Sequence, residues 1–129
     1  MFIENVYETP LESIVAREGQ GAIQIGRIFQ TEKLEGTWHF IEYLVVPPGV
    51  TIGEHRHGAN EEIYFILEGH ARMKINGQEC EVKPGDFIVN HAGWEHGLRN
   101  ESANEVKLLV IEVDLADSNQ PGDRLAGEA

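Results

Sequence analysis

Hydrophobic and polar positions alternate with a period of two along most of the chain. The runs AIQIGRIF (22–29), WHFIEYLVV (38–46), EIYFIL (62–67), ARMKI (71–75), CEV (80–82), DFIVN (86–90) and VKLLVIEV (106–113) read as β-strands. Turn signals separate them: PPG at 47–49, EG at 68–69, NG at 76–77, PG at 84–85 and AG at 92–93. Asn76-Gly77 tolerates positive φ at both central positions of a type I′ turn, so the runs on either side should form a hairpin. Many short strands at roughly 8–12-residue spacing predict a β-sandwich or small barrel. TPLESIVAR (9–17) is the one candidate helix, and it reads equally well as a strand. From Asp114 the chain is polar and contains Gly and Pro. Residues 1–113 are therefore expected to form one domain and 114–129 a mobile tail.

Composition narrows the function. A chain of 129 residues can bury a core without disulfides or a structural metal, so a bound metal would serve function more than folding. Ten Lys and Arg stand against 22 Asp and Glu, a formal charge of −12. Such a surface repels phosphate backbones and anionic lipid, which argues against nucleic acid and membranes as partners. The single cysteine, Cys80, excludes an intrachain disulfide and reads as a small core group. The first residues lack the pattern of a signal peptide, and no apolar run approaches the ~20 residues that span a bilayer. A cytoplasmic protein is the expectation.

Two of the six histidines lie one residue apart in GVTIGEHRHGANEEIYFILEG (49–69). On an extended segment His55 and His57 project together and Arg56 points away. With a carboxylate from a neighbouring strand, the two imidazoles can converge on a divalent cation. An isolated pair of this kind also occurs as surface histidines. A second stretch, PGDFIVNHAGWEHGLRN (84–100), brings His96 after a glycine turn.

Together these stretches resemble the two motifs of the cupin superfamily. Gly49, His55, His57, Glu62 and Gly69 occupy the first motif; Gly85, Gly93, His96 and Asn100 occupy the second. His91 stands where the family has proline, and nine of the ten fixed positions match. The resemblance implies an all-β fold, the cupin double-stranded β-helix, a jelly-roll-like antiparallel β-barrel. It also implies a metal held by His55, His57, Glu62 and His96, and a homodimer. Three imidazoles and one carboxylate suit Zn, Mn, Fe, Ni or Co better than Ca or Mg.

The motif also selects Glu62 over Glu61, which should face the other way. By parity Tyr64 and Ile66 share the inward face with Glu62, and Leu98 shares one with His96. Ile63, Phe65 and Leu67 face outward. Trp94 is expected at the mouth as a pocket wall or dimer contact. These four, Tyr64, Ile66, Trp94 and Leu98, are the candidate substrate pocket. Phe40 and Tyr43 read as pocket, core or interface aromatics. Arg99 reads as a surface residue or an anion contact, and His39 and His70 as surface or strand residues.

The resemblance does not fix the chemistry. One reading is a metal-dependent enzyme on a small organic substrate, either a dioxygenase or an isomerase or cyclase. The latter pair needs a general base, for which His91 is the nearest candidate if it is more than a turn residue. The alternatives are a non-catalytic ligand-binding or sensor protein and an accessory barrel to a partner enzyme. The expected ligand is small, partly apolar and oxygen-bearing.

Overall fold

The computed structural model describes residues 1–29, 32 and 34–115. Its strands are β1 (Glu12–Ile14), β2 (Ile23–Arg27), β3 (Trp38–Val46), β4 (Thr51–Arg56), β5 (Asn60–Glu68), β6 (Ala71–Ile75), β7 (Gln78–Val82), β8 (Phe87–Asn90), β9 (Glu95–Arg99) and β10 (Val106–Asp114). They form a six-stranded sheet in the order β1-β2-β3-β10-β5-β8 and a four-stranded sheet in the order β4-β9-β6-β7. Every pairing is antiparallel. No strand pairing among the described residues joins the two sheets, so the fold is a jelly roll of two facing layers.

Inward-facing residues of both layers build one core. Ile23, Leu44, Val46, Ile66, Val106 and Leu108 come from the larger sheet; Ile52, Met73 and Leu98 come from the smaller. Each such side chain stabilises the fold by about 1.5–3 kcal/mol when fully buried. Strand β5 shows the alternation most clearly: Glu62, Tyr64 and Ile66 are buried, whereas Ile63, Phe65 and Leu67 are only partly so. Asn76 and Gly77 both have positive φ, 47° and 88°, and close the β6–β7 hairpin as the Asn-Gly pair predicts.

Three features differ from the sequence reading. TPLESIVAR, read as helix or strand, takes the strand alternative only over β1 and then enters a 3₁₀ turn, Ala16–Glu18. Strands β4 and β9 carry motif residues but lack an apolar alternation that marks them in advance. Asp114, expected to open the tail, instead closes β10, and its backbone N–H donates to Thr37 O at 2.8 Å. The rest of the expected tail, from residue 116, lies outside the described residues.

Asn100, the last motif residue, has a structural task. Its buried Nδ2 donates to Val46 O (2.9 Å) and Asn104 O (2.7 Å), while its Oδ1 accepts from Ser102 N–H (3.0 Å). It thereby ties the β9–β10 loop to the end of β3. Among the described residues no helix is long and apolar enough to cross a membrane.

Candidate metal centre

His55 on β4 lies directly opposite His96 on β9. His57 follows two residues later, and Glu62 faces them from β5 in the other sheet. One ligand atom from each of these four residues lies within 4.8 Å of the others. His55 Nε2 is 3.1 Å from His57 Nε2; Glu62 Oε1 is 2.9 Å from His96 Nε2 and 3.3 Å from His57 Nε2. Atoms about 2.1 Å from a common ion and 90–109° apart lie about 3.0–3.4 Å from one another. These three separations fall close to that edge length, and all four ligand atoms lie within 4.8 Å of one another, so the donor set suits a transition-metal ion.

The histidines are oriented for this task. His55 Nδ1–H donates to Gly53 O at 2.7 Å, leaving the Nε2 lone pair to face the cluster. Burial pushes the His55 imidazole down to about 4; the nearby His96, Arg17 and His57 add to that, and the bond to Gly53 opposes it. His57 behaves in the opposite way. Contacts to Glu112 and Glu62 outweigh its burial and raise it to about 9. Burial pushes the Glu62 carboxyl up, but hydrogen bonds from His57 and His96 prevail and hold it at about 2. In the metal-free protein a proton on His57 thus neutralises part of the carboxylate charge.

Two buried polar residues in line with Glu62, Asn90 and Glu112, were not singled out from the sequence. Asn90 on β8, Glu62 on β5 and Glu112 on β10 are aligned across three adjacent strands, and all three are buried. Glu112 Oε1 sits 2.8 Å from His57 Nδ1, an ion-pair distance without an aligned hydrogen bond. Its Oε2 is 2.5 Å from Nδ1 of the half-exposed His39. Glu112 therefore stands as a charge partner on the far side of His57.

A cavity of about 330 Å³ opens on the cluster. His55, Glu62 and Tyr64 reach it, and Ile14, Ile23, Phe40, Ile52 and Val110 give it an apolar wall. Arg17 and Glu42 are its other charged residues. Glu42 pairs with Arg27 at 3.1 Å; burial raises its carboxyl, and that pairing lowers it in part. A larger groove of about 720 Å³ shares Ile14, Ile25 and Glu42 with the cavity and holds none of the four cluster residues. The chemistry therefore assigns the site to the smaller space.

The expected pocket residues separate. Tyr64 lines the cavity, whereas Ile66 and Leu98 are sealed in the core with no exposed surface. Trp94 borders a different depression, beside Ile75 and Cys80. His91, the proposed base, contacts Glu61 Oε2 at 3.1 Å and packs edge-on against Trp94, with ring centroids 4.7 Å apart. It lies outside both the cluster and its cavity. Cys80 is exposed, not a core group, because β7 is an edge strand with an outward run. Arg99 pairs with Glu79 at 2.7 Å, and His70 lies in a surface depression with Arg72 and Glu81.

Comparison with known proteins agrees with this geometry. Residues 42–112 match the cupin domain family. The chain is a cupin. It is 25% identical to the oxalate-binding protein of Thermotoga maritima over 111 residues, which are 86% of this chain and 92% of that protein. The crystal structure of a predicted oxalate decarboxylase from Thermotoga maritima superposes with a TM-score of 0.84 at 25% identity, covering 88% of this cupin and 99% of that chain. Quercetin 2,3-dioxygenase of Bacillus subtilis is 32% identical over 79 residues, which are 61% of this chain but only 23% of that enzyme.

Proposed function

We propose that this cupin holds one divalent transition-metal ion through His55, His57, Glu62 and His96, and acts through it on a small organic substrate in the adjoining cavity. The observation that carries the reading is the grouping of three imidazole nitrogens and one carboxylate oxygen within 4.8 Å of one another, with His55 and Glu62 opening on a largely apolar cavity. When bound, the ion would supply Lewis acidity and, if it is iron, a route to oxygen chemistry. This chain's residues supply the rest: Tyr64 and Phe40 shape the space, Glu112 lies against His57 as its charge partner, and Glu42 offers a carboxyl at which a proton can be exchanged. Relatives named for dioxygenase activity support an enzyme.

A second reading, binding without turnover, is favoured by the Thermotoga relative named for oxalate binding, because that similarity spans nearly the whole of both chains. In either case the partners are a small molecule and a second copy of the chain. The charge of −12 opposes nucleic acid and anionic membranes.

Elemental analysis of chain purified without chelator tests the ion directly. One equivalent is expected, and His57→Ala should lose most of it while keeping the far-ultraviolet spectrum of the fold, because the core is large enough alone. Wild-type protein that takes up no Zn, Mn, Fe, Ni or Co on reconstitution would sink the proposal.

A further inference from the structure

Arg17 differs from the other arginines. Arg27, Arg56, Arg72 and Arg99 approach carboxylates at 3.1, 3.8, 3.0 and 2.7 Å. Arg17, the one other arginine among the described residues, has no hydrogen-bond or ion-pair partner among them. With 22 acidic residues in the chain, that is not for want of carboxylates. Arg17 instead lines the cavity that opens on His55 and Glu62, and its charge acts on both His55 and Tyr64. The two carboxylates of that cavity are engaged elsewhere, Glu62 with His57 and His96 and Glu42 with Arg27.

The backbone beneath Arg17 is strained and firmly held. Arg17 and Glu18 have φ of 52° and 58°, in the left-handed region. Such conformations persist where the surroundings over-determine them. Here Thr51 N–H donates to Gln20 O at 2.9 Å, and Gln20 N–H donates to Thr51 Oγ1 at 2.7 Å. A Cβ on Gly53 would lie 2.0 Å from Arg17 O, and one on Gly19 would lie 2.5 Å from Thr51 O. The turn is therefore pressed onto β4, the strand that carries His55. The backbone is thus fixed where Arg17, an exposed residue, borders the cavity, which leaves its unpaired guanidinium available to an anion there.

We propose that Arg17 is the anion-binding residue of this cavity, and that the molecule bound there is a small carboxylate whose charged end lies on the guanidinium while another oxygen faces the ion site. The planar guanidinium matches a carboxylate in two-point geometry. The apolar walls and the volume of about 330 Å³ favour a short molecule over a polyanion. The assignment rests on the metal reading above and adds the ligand class.

Calorimetric titration of the metal-loaded chain tests it, with oxalate as the carboxylate probe and acetohydroxamic acid as a chelating probe without a carboxylate. Arg17→Gln should weaken oxalate binding about ten- to hundredfold, the range for a charge-assisted hydrogen bond, and leave the hydroxamate unchanged. Arg17→Lys should recover part of the loss. Three results overturn the assignment while leaving the metal reading intact: unchanged oxalate affinity in Arg17→Gln with full metal content, equal weakening of both probes, or tighter binding of inorganic phosphate than of oxalate. Wild-type chain that takes up no ion overturns both.

Discussion

His57 is where metal and proton compete. Its imidazole lies between two buried carboxylates, Glu62 at 3.3 Å and Glu112 at 2.8 Å, and they raise it to about 9 from an ordinary 6.5. Metal-free protein at neutral pH therefore carries a proton on a nitrogen that an ion needs bare. Uptake should release one proton, and apparent affinity should climb roughly tenfold per pH unit until about pH 9 and then level off. Titrations in buffers of different ionisation enthalpy read the proton count; pH-independent uptake between 6.5 and 9 would refute the competition. The same groups set the acid–base limits of the metal-free fold. The raised His57 contributes stability that is complete below pH 6.5 and lost as pH rises through about 9. The depressed Glu62 contributes stability present above 4.5 and lost as pH falls towards 2. The four cluster residues were legible because motif spacing fixes which strand face each occupies. Glu112, Glu42 and Arg17 were not. Each is an ordinary polar residue in its own segment and gains a role only from strands distant in sequence.

At the scale of elements, the apolar alternation located most strands but passed over β4 and β9. TIGEHR and EHGLR carry few β-branched or aromatic residues; each gives a ring nitrogen to the site and one large apolar side chain, Ile52 or Leu98, to the core. Their strand conformation comes from pairing with each other, for β9 also from pairing with β6, and for β4 also from the turn at Ala16–Glu18. Gly53 makes that second contact possible, since its backbone abuts Arg17 O where no side chain fits. Gly53→Ala is expected to force the turn off β4 and to destabilise the fold by about 1–3 kcal/mol, the usual cost of overpacking. Urea denaturation gives the stability change, and a variant as stable as wild type would show that the turn can shift freely. Because the turn carries Arg17, the same variant should weaken oxalate binding more than metal uptake.

At the scale of the whole molecule, the question is what covers the outer face of the larger sheet. One end is covered from within: Val6, Ile28 and Phe29 pack around Tyr43 and Val45. The other end is β8, an edge strand. There Phe65 stacks on Phe87 with ring centroids 4.3 Å apart, yet Phe87 remains 67% exposed and Val89 43%. The sequence placed the outward apolar load on Ile63 and Phe65; strand pairing shelters those two and moves the exposure one strand outward. An unpaired edge beside exposed apolar side chains is the arrangement proteins protect, and a twofold copy protects it with the same residues on both sides. The expected homodimer therefore buries Phe87 and Val89 about a twofold axis near β8. Light scattering coupled to size exclusion should give about twice the chain's 14.4 kDa at micromolar concentration. Phe87→Glu should halve that mass, because two like charges would then face each other at the axis, while the metal content stays at one ion per chain. A wild-type mass near 14.4 kDa would reject the dimer, and a dimeric Phe87→Glu variant would move the interface to another face.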